Sequence, residues 1–116
     1  MFPKKNRISK TEFDELLKKS AVFHNTLFSS RYVQTEIKKF PKVAFVVSKK
    51  VSKEAVGRNL LRRQCFHILR SIFLKKNTLI SKNGYDIAFF LKKEIKSVSQ
   101  LEIKKSLEEI MKKIGV

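Results

Sequence analysis

The chain has 116 residues and carries 27 Lys and Arg against 10 Asp and Glu, a formal net charge of +17. Apolar residues make up 42% of it, ten of them Phe, so it has enough apolar surface for one modest core and is unlike a wholly disordered basic tail. We therefore expect a single domain over residues 1–116. No run reaches about 18 apolar residues, and no apolar segment follows the first basic residues, so we expect neither a transmembrane helix nor a secretory signal.

The charge indicates what kind of partner the chain has. A compact domain at +17 repels itself, and binding to a polyanion relieves that repulsion. Nucleic acid is the favoured partner class, with an anionic membrane surface and a basic protein without a polyanionic partner as alternatives. The single cysteine, Cys65, excludes an internal disulfide and fits a reducing compartment, so we expect a cytoplasmic protein.

A first helix is predicted over residues 10–19. Ser9 and Glu12 have the spacing of a capping box, and Ile8 and Phe13 occupy the two positions of a hydrophobic staple. The apolar stripe of this helix consists of Phe13, Leu16 and Leu17.

Extended segments are predicted on both sides of the middle of the chain. Residues 22–37 are rich in β-formers, and Lys42 to Ser48, after Pro41, reads as a strand covered on both faces. Gly84 opens a further strand, Tyr85 to Leu91, in which apolar side chains alternate between two faces.

The longest helix is predicted over residues 53–75. On a wheel of about 100° per residue, one arc is polar and basic and a separate arc is apolar. The polar arc holds Arg58, Asn59, Arg62, Arg63 and Arg70, and the apolar arc holds Leu61, Cys65, Ile68 and Ile72. Gly57 near the start either permits close approach of a backbone or phosphate, or shows that the helix begins later, near Arg58.

A last helix is predicted to begin at a second capping box, Ser99 with Glu102, and to end at Gly115. The order of elements is then α-β-β-α-β-α, which predicts an α+β fold, an α-β sandwich. The two strands that flank the long helix could pair in parallel around it.

The sequence offers no pattern typical of a protein active site. Cys65 lies on the apolar arc and His67 reads as a solvated helix residue, so no metal-ligand cluster is expected. Adjacent carboxylates such as Glu108 and Glu109 are explained by a solvated helix face, and no Gly-rich phosphate loop is present. Any enzyme built from this chain should therefore take its catalytic groups from elsewhere.

The densest charge lies in residues 49–70, which carry a net +6 in 22 residues. Lysines at the end of a buried strand reach the solvent edge, where a phosphate could approach. Arg58 and Arg62 are four apart and share one helix face. A merely solvated amphipathic helix face is the alternative reading of this segment.

Here the sequence resembles the bacterial ribonuclease P protein subunit family. The matching motif consists of Ser48-Lys49-Lys50, Ala55-Val56, Arg58-Asn59 and Arg62-Arg63, and the family's opening is matched by Asn6-Arg7-Ile8 and Glu12-Phe13. Size, charge and element order agree over nearly the whole chain. The sequence departs from the family at Leu60 and Phe66, where basic residues are usual or frequent, and at Leu17, where a second aromatic is common.

The resemblance implies one subunit of a ribonucleoprotein endonuclease that removes the 5′ leader from precursor tRNA. The RNA subunit would be the catalyst and would hold Mg²⁺ together with the substrate, so no catalytic residue, metal ligand or cofactor is expected on the protein. The partners would be ribonuclease P RNA and the precursor tRNA leader, with no membrane and no protein partner required. The resemblance also implies a mixed sheet with a left-handed β-α-β crossover, against the usual right-handed preference.

The resemblance also implies roles for individual residues. Contacts with the RNA subunit are expected from Lys49, Lys50, Lys53, Arg58, Asn59, Arg62 and Arg63, and we add Arg70 as a hypothesis because it could restore charge. A leader-binding cleft between the first helix and the sheet is expected to include Phe13, Leu17 and Tyr32, although Phe13 also fits core packing. The alternatives are a structural ribosomal or general RNA-binding protein, and a protein nuclease acting alone.

Overall fold

The computed structural model describes residues 8–35, 42–76 and 84–114, and within them four strands form one mixed sheet. The elements in chain order are α1 (Lys10–Lys19), β1 (Ala21–His24), β2 (Phe28–Thr35), β3 (Lys42–Val46), α2 (Ala55–Lys76), β4 (Gly84–Leu91), a short 3-10 helix (Lys93–Ser97) and α3 (Gln100–Ile114). The sheet order is β1-β2-β4-β3, with β3 parallel to β4 and the other neighbours antiparallel. The α+β fold class is confirmed.

The extended segment expected over residues 22–37 is two strands joined by a tight turn at Asn25. The Asn25 N–H donates to the Phe28 carbonyl oxygen at 2.9 Å, and its side-chain oxygen accepts from the N–H groups of Leu27 and Phe28 at 3.2 and 2.9 Å. An Asn side chain that bonds to the backbone two residues ahead is a turn former in its own right. The order is therefore α-β-β-β-α-β-α, one strand more than the sequence pattern predicted; residues 36 and 37 and Pro41 lie outside the described ranges.

The start of α1 is fixed by local bonds and by β3. Ser9 Oγ accepts from the Glu12 N–H at 3.3 Å and the Ser9 N–H donates to Glu12 Oε1 at 3.0 Å, which confirms the first capping box. The Ile8 N–H donates to the Val43 carbonyl oxygen at 3.2 Å. The first turn of α1 is thereby held against β3.

The main core lies on the face of the sheet toward α2 and α3. Side-chain alternation brings Ile87, Phe89 and Leu91 of β4 to this face, as predicted, and all three are buried. The Phe89 ring stacks on Phe45 of β3 at 5.0 Å between centroids and meets Phe28 of β2 edge-on at 5.8 Å. The opposite face of the sheet is left to α1.

The helix α2 begins at Ala55, so the alternative start near Arg58 is wrong. A Cβ atom on Gly57 would lie 2.4 Å from Ser52 Oγ, so the close approach that this glycine permits is to a side chain of the preceding loop. Cys65, Ile68 and Ile72 are buried as expected. Leu69 is also fully buried although the wheel places it near the basic arc, because α2 contacts both β3 and α3.

The helix α2 connects two parallel neighbours, β3 and β4, as the sequence suggested; the handedness of this crossover stays a prediction. At the start of α3, Ser99 Oγ accepts from the Glu102 N–H at 3.3 Å, and the buried stripe includes Ile103, Leu107 and Ile110. Gly115 lies outside the described residues. In the described ranges, no helix has the length and apolar character needed to cross a membrane.

Candidate nucleic-acid interface

The first candidate surface is built on the loop that follows β3. The Ser48 carbonyl oxygen accepts from the N–H groups of Val51 and Ser52 at 3.1 and 3.2 Å, which closes a tight turn. Val51 is only 5% exposed and anchors the turn in the core. Lys49 and Lys50 are therefore held at the surface of a fixed loop.

The guanidinium of Arg58 ties α2 to this loop. Its Nη1 atom donates to the carbonyl oxygens of Ser52 at 3.1 Å and Lys53 at 2.8 Å. Arg58 is half-buried, whereas Lys53 is exposed. Since a guanidinium has five N–H donors, Arg58 can brace the loop and still present donors to a phosphate.

The next residues of α2 extend the charged surface along the helix. Arg62 Nη2 donates to Asn59 Oδ1, which couples two of the predicted RNA contacts to each other. Asn59 and Arg63 are exposed, and Arg62 is half-buried. Arg70, also half-buried, lies eight residues beyond Arg62, or about 12 Å further along the helix from the loop that carries the lysines.

One basic residue of this surface was missed by the sequence analysis. Lys96, from the 3-10 helix, lines the same depression of about 450 Å³ as Lys49, Lys50 and Lys53. Lys96 is 43 positions after Lys53, and only the fold brings the two segments together. We call these residues the basic surface: Lys49, Lys50, Lys53, Arg58, Asn59, Arg62, Arg63 and Lys96.

The second candidate surface is a groove between α1 and the sheet. It has a volume of about 680 Å³, within the range of about 300–1,000 Å³ typical of ligand sites. We call it the α1 groove; its lining residues are Phe13, Leu17, Ser29, Arg31, Val46 and Phe90. The rings of Phe13 and Phe90 lie 6.1 Å apart between centroids, tilted by 40°.

The predicted cleft residues Phe13 and Leu17 lie in this groove, but Tyr32 does not. Successive side chains of a strand point to opposite faces. Tyr32 pairs with the buried Ile87 and packs against the main core, whereas its neighbour Arg31 faces the groove. The choice of Tyr32 for the cleft is therefore wrong by one position, and Arg31 takes its place.

The position of α1 over the sheet is secured at its N-terminal end. Glu12 forms an ion pair with Lys42, the first residue of β3. The hydrogen bond from Lys42, with further bonds from Ser9, lowers the pKa of Glu12 to about 2 despite an opposing effect of burial. Toward the other end of α1, Leu17 is 38% exposed and lines the α1 groove.

The three departures from the family pattern have different structural settings. The Phe66 ring meets Phe45 edge-on at 4.8 Å, so this position contributes to the core. Leu60 is 54% exposed on α2, where a basic side chain would reach solvent. Leu17 supplies the α1 groove with an apolar but not an aromatic surface.

The cysteine and histidine of α2 have different settings. Cys65 is fully buried, and desolvation raises the pKa of its thiol to about 12. His67 is exposed, as expected. Within residues 8–35, 42–76 and 84–114, no three His, Cys, Asp or Glu side chains are grouped so as to hold a metal ion.

Comparisons with known proteins agree with the resemblance. The Ribonuclease P family model matches residues 2–115. The ribonuclease P protein component of Clostridium kluyveri is 34% identical over 111 residues, covering 95% of each chain. The structure of the Staphylococcus aureus RNase P protein matches with a TM-score of 0.72 and 28% identity over 92% of this chain and 93% of that one. The Thermotoga maritima RNase P protein, at 23% identity, shares the fold with a TM-score of 0.73 over 92% and 96% of the two chains. The chain therefore belongs to the bacterial ribonuclease P protein family, the RNA-binding component of an endoribonuclease of tRNA processing.

Proposed function

We propose that this protein binds the catalytic RNA of ribonuclease P through the basic surface and the 5′ leader of precursor tRNA through the α1 groove. The observation that carries the proposal is the adjacency of the two surfaces. Val46 lines the groove, and Lys49, three residues on, begins the basic surface. Three residues of chain span at most about 10 Å, so a leader strand that occupies the α1 groove would emerge from the groove beside the basic surface.

The chemistry of the basic surface supports a role in binding RNA. Its charged side chains are Lys and Arg, which suit phosphate oxygens. Mg²⁺ prefers several oxygen ligands such as carboxylates, and the depression at Lys49 offers one carboxylate, Glu54, among four lysines, a lining that does not fit that ion. We therefore assign the Mg²⁺ ions of the reaction to the RNA subunit and the substrate. We expect the protein to help by screening the repulsion between phosphates of the catalytic RNA and phosphates of the precursor tRNA.

The α1 groove supports binding of a single strand. Phe13 and Phe90 present aromatic surface, and Leu17 and Val46 are apolar. Unstacked bases of single-stranded RNA stack on aromatic side chains, and each stacked base contributes about 1–3 kcal/mol to the binding free energy. A base-paired acceptor stem has no free base face, so the groove should distinguish the leader from the mature tRNA.

The first experiment is cleavage of a precursor tRNA by a bacterial ribonuclease P RNA at low Mg²⁺, with and without this protein. We expect the protein to stimulate release of the intact leader at the correct site. Activity of the RNA alone at high Mg²⁺ and a folded protein are the required controls. If both controls hold and no stimulation occurs, the alternative of a ribosomal or general RNA-binding protein takes precedence; cleavage by the protein without RNA would favour a protein nuclease.

A pair of matched variants tests the basic surface. K50A/R62A/R63A removes three positive charges from the basic surface, and K105A/K112A/K113A removes three exposed charges from α3. Both have the same net charge, so a general attraction to RNA predicts equal loss of binding. We expect only the first variant to weaken binding to the catalytic RNA strongly. Equal losses would contradict the assignment of the RNA site to this surface.

A further inference from the structure

Arg31 is the only charged residue among the six that line the α1 groove. It lies opposite Ala88 in β4, and the next pair on this face is Ser29 with Phe90. Diagonal neighbours across two strands lie about 7–8 Å apart, within reach of a long side chain. A guanidinium is thereby placed beside the aromatic surface that Phe90 offers to a base.

Among the residues that the structure describes, the guanidinium of Arg31 makes one weak hydrogen bond. Its Nη1 atom donates to the Leu17 carbonyl oxygen at 3.5 Å, at the outer limit of a hydrogen bond. The Leu17 carbonyl lies in the last turn of α1, where carbonyl oxygens lack helical N–H partners. The bond to it uses one of the five N–H donors of the guanidinium. The contact therefore leaves most donors of this groove-lining side chain for a ligand.

We propose that Arg31 binds a backbone phosphate of the single-stranded leader while Phe13 and Phe90 contact its base. This inference rests on the proposed function of the α1 groove. Arginine also pairs with the O6 and N7 atoms of guanine, most often in a duplex groove, whereas sequence-independent binding of single strands combines positive charge along the backbone with aromatic stacking of the bases. Ser29 is the other polar residue among the described residues of the groove, so this lining favours a phosphate contact that is independent of sequence.

The test measures binding of the reconstituted holoenzyme to precursor tRNA and to mature tRNA over a series of KCl concentrations. The variants are R31Q, R31K and, as a control of equal charge loss, K18Q, which changes an exposed residue of α1 outside the groove lining. We expect R31Q to reduce the slope of log affinity against log salt by about 0.7 for precursor tRNA only. R31K should keep the wild-type slope, and K18Q should behave as wild type.

Each other result overturns the inference in a distinct way. An unchanged slope for precursor tRNA in R31Q removes the phosphate contact. An equal loss for precursor and mature tRNA, with a lower melting temperature, assigns Arg31 to stabilising the end of α1. A loss that disappears when every guanine of the leader is replaced assigns it to reading a base. If wild-type holoenzyme itself does not prefer precursor over mature tRNA, the proposed function of the groove fails, and this inference fails with it.

Discussion

Arg58 and Lys53 are joined by a 2.8 Å hydrogen bond from the Arg58 guanidinium to the Lys53 carbonyl oxygen. The bond runs from the first turn of α2 back to the loop that carries three of the basic side chains. Arg58 therefore holds the backbone on which Lys49, Lys50 and Lys53 are displayed, in addition to offering its own charge. Arg62, four residues on, bonds only to the side chain of Asn59 among the hydrogen bonds assigned in the described ranges.

This difference predicts different effects of R58A and R62A. R62A should reduce the slope of log affinity for the catalytic RNA against log salt by about 0.7–0.9, the loss of one phosphate contact, with little change in stability. R58A should lose more affinity than that slope explains, and should lower the melting temperature, because two carbonyl oxygens lose their donor. Salt titrations of binding and thermal unfolding measure both effects.

The matched control is K112A, which removes an exposed charge at the end of α3. It should leave both the salt slope and the melting temperature near wild type. If R58A and R62A have the same salt slope, affinity and melting temperature, the loop-bracing role of Arg58 is wrong. Wild-type affinity in the R58A/R62A double variant at physiological salt would contradict the RNA-binding role of both residues.

Lys96 provides a second prediction, on a residue that no local motif indicates. K96A should weaken binding of the catalytic RNA and reduce its salt slope by about 0.7–0.9, because Lys96 shares a depression with Lys49, Lys50 and Lys53. Lys93 is exposed on the same 3-10 helix but does not line that depression, so K93A is the control. Equal effects of K93A and K96A would show that only the net charge matters.

The sequence predicts best those features of the fold that arise from contacts between residues close together in the chain. The capping box of α1 is a contact between Ser9 and Glu12, three residues apart, and it was predicted correctly. The turn at Asn25 was missed because Asn25-Thr26-Leu27 contains neither Gly nor Pro, and its bonds come from one side chain. Leu69 was not assigned to the apolar arc because a helical wheel describes one helix by itself. The wheel does not show that α2 also packs against α3, which widens the buried side of α2.

The same reasoning applies to the candidate site. The basic residues of residues 49–63 follow one another in sequence, and their spacing indicates a shared surface. Arg31 and Tyr32 are neighbours that lie on opposite faces of β2. The face that each one occupies depends on where the strand begins, at Phe28, and the sequence pattern did not predict that start. Lys96 reaches the basic surface through the path of the chain after β4, which no spacing within the motif encodes.

A third prediction concerns the pH dependence of the ion pair between Glu12 and Lys42. Because the folded pKa of Glu12 is lowered from 4.5 to about 2, the pair stabilises the protein above pH 4.5 and loses that contribution as the pH falls toward 2. E12Q keeps a side chain suited to the capping box but removes the charge. It should lower the free energy of unfolding by up to about 1 kcal/mol at pH 6, and by much less near pH 2.5.

Urea unfolding of wild type and E12Q at several pH values measures this difference. E15Q, on an exposed position of the same helix, is the control and should show a small effect that changes little with pH. A difference between wild type and E12Q that stays constant from pH 6 to pH 2.5 would show that the ion pair does not account for the effect of the substitution.

A fourth prediction uses Cys65 as an internal reporter of unfolding. The thiolate is the reactive form of cysteine, and burial raises the pKa of this thiol to about 12, so the folded protein should react very slowly with a thiol reagent at pH 8. In the unfolded chain the pKa returns to about 9, and the thiol becomes exposed. The modification rate should therefore follow the fraction of opened molecules. L107A removes a buried side chain from the same core and should lower the free energy of unfolding by about 2–5 kcal/mol, and modification should become about tenfold faster for each 1.4 kcal/mol lost.

Because the thiol pKa is raised on folding, its contribution to stability should also fall as the pH rises from about 9 toward 12, and C65A should lack this dependence. Rapid modification of the wild-type protein in the absence of denaturant, at the rate of an unfolded peptide, would contradict the buried position of Cys65 in α2.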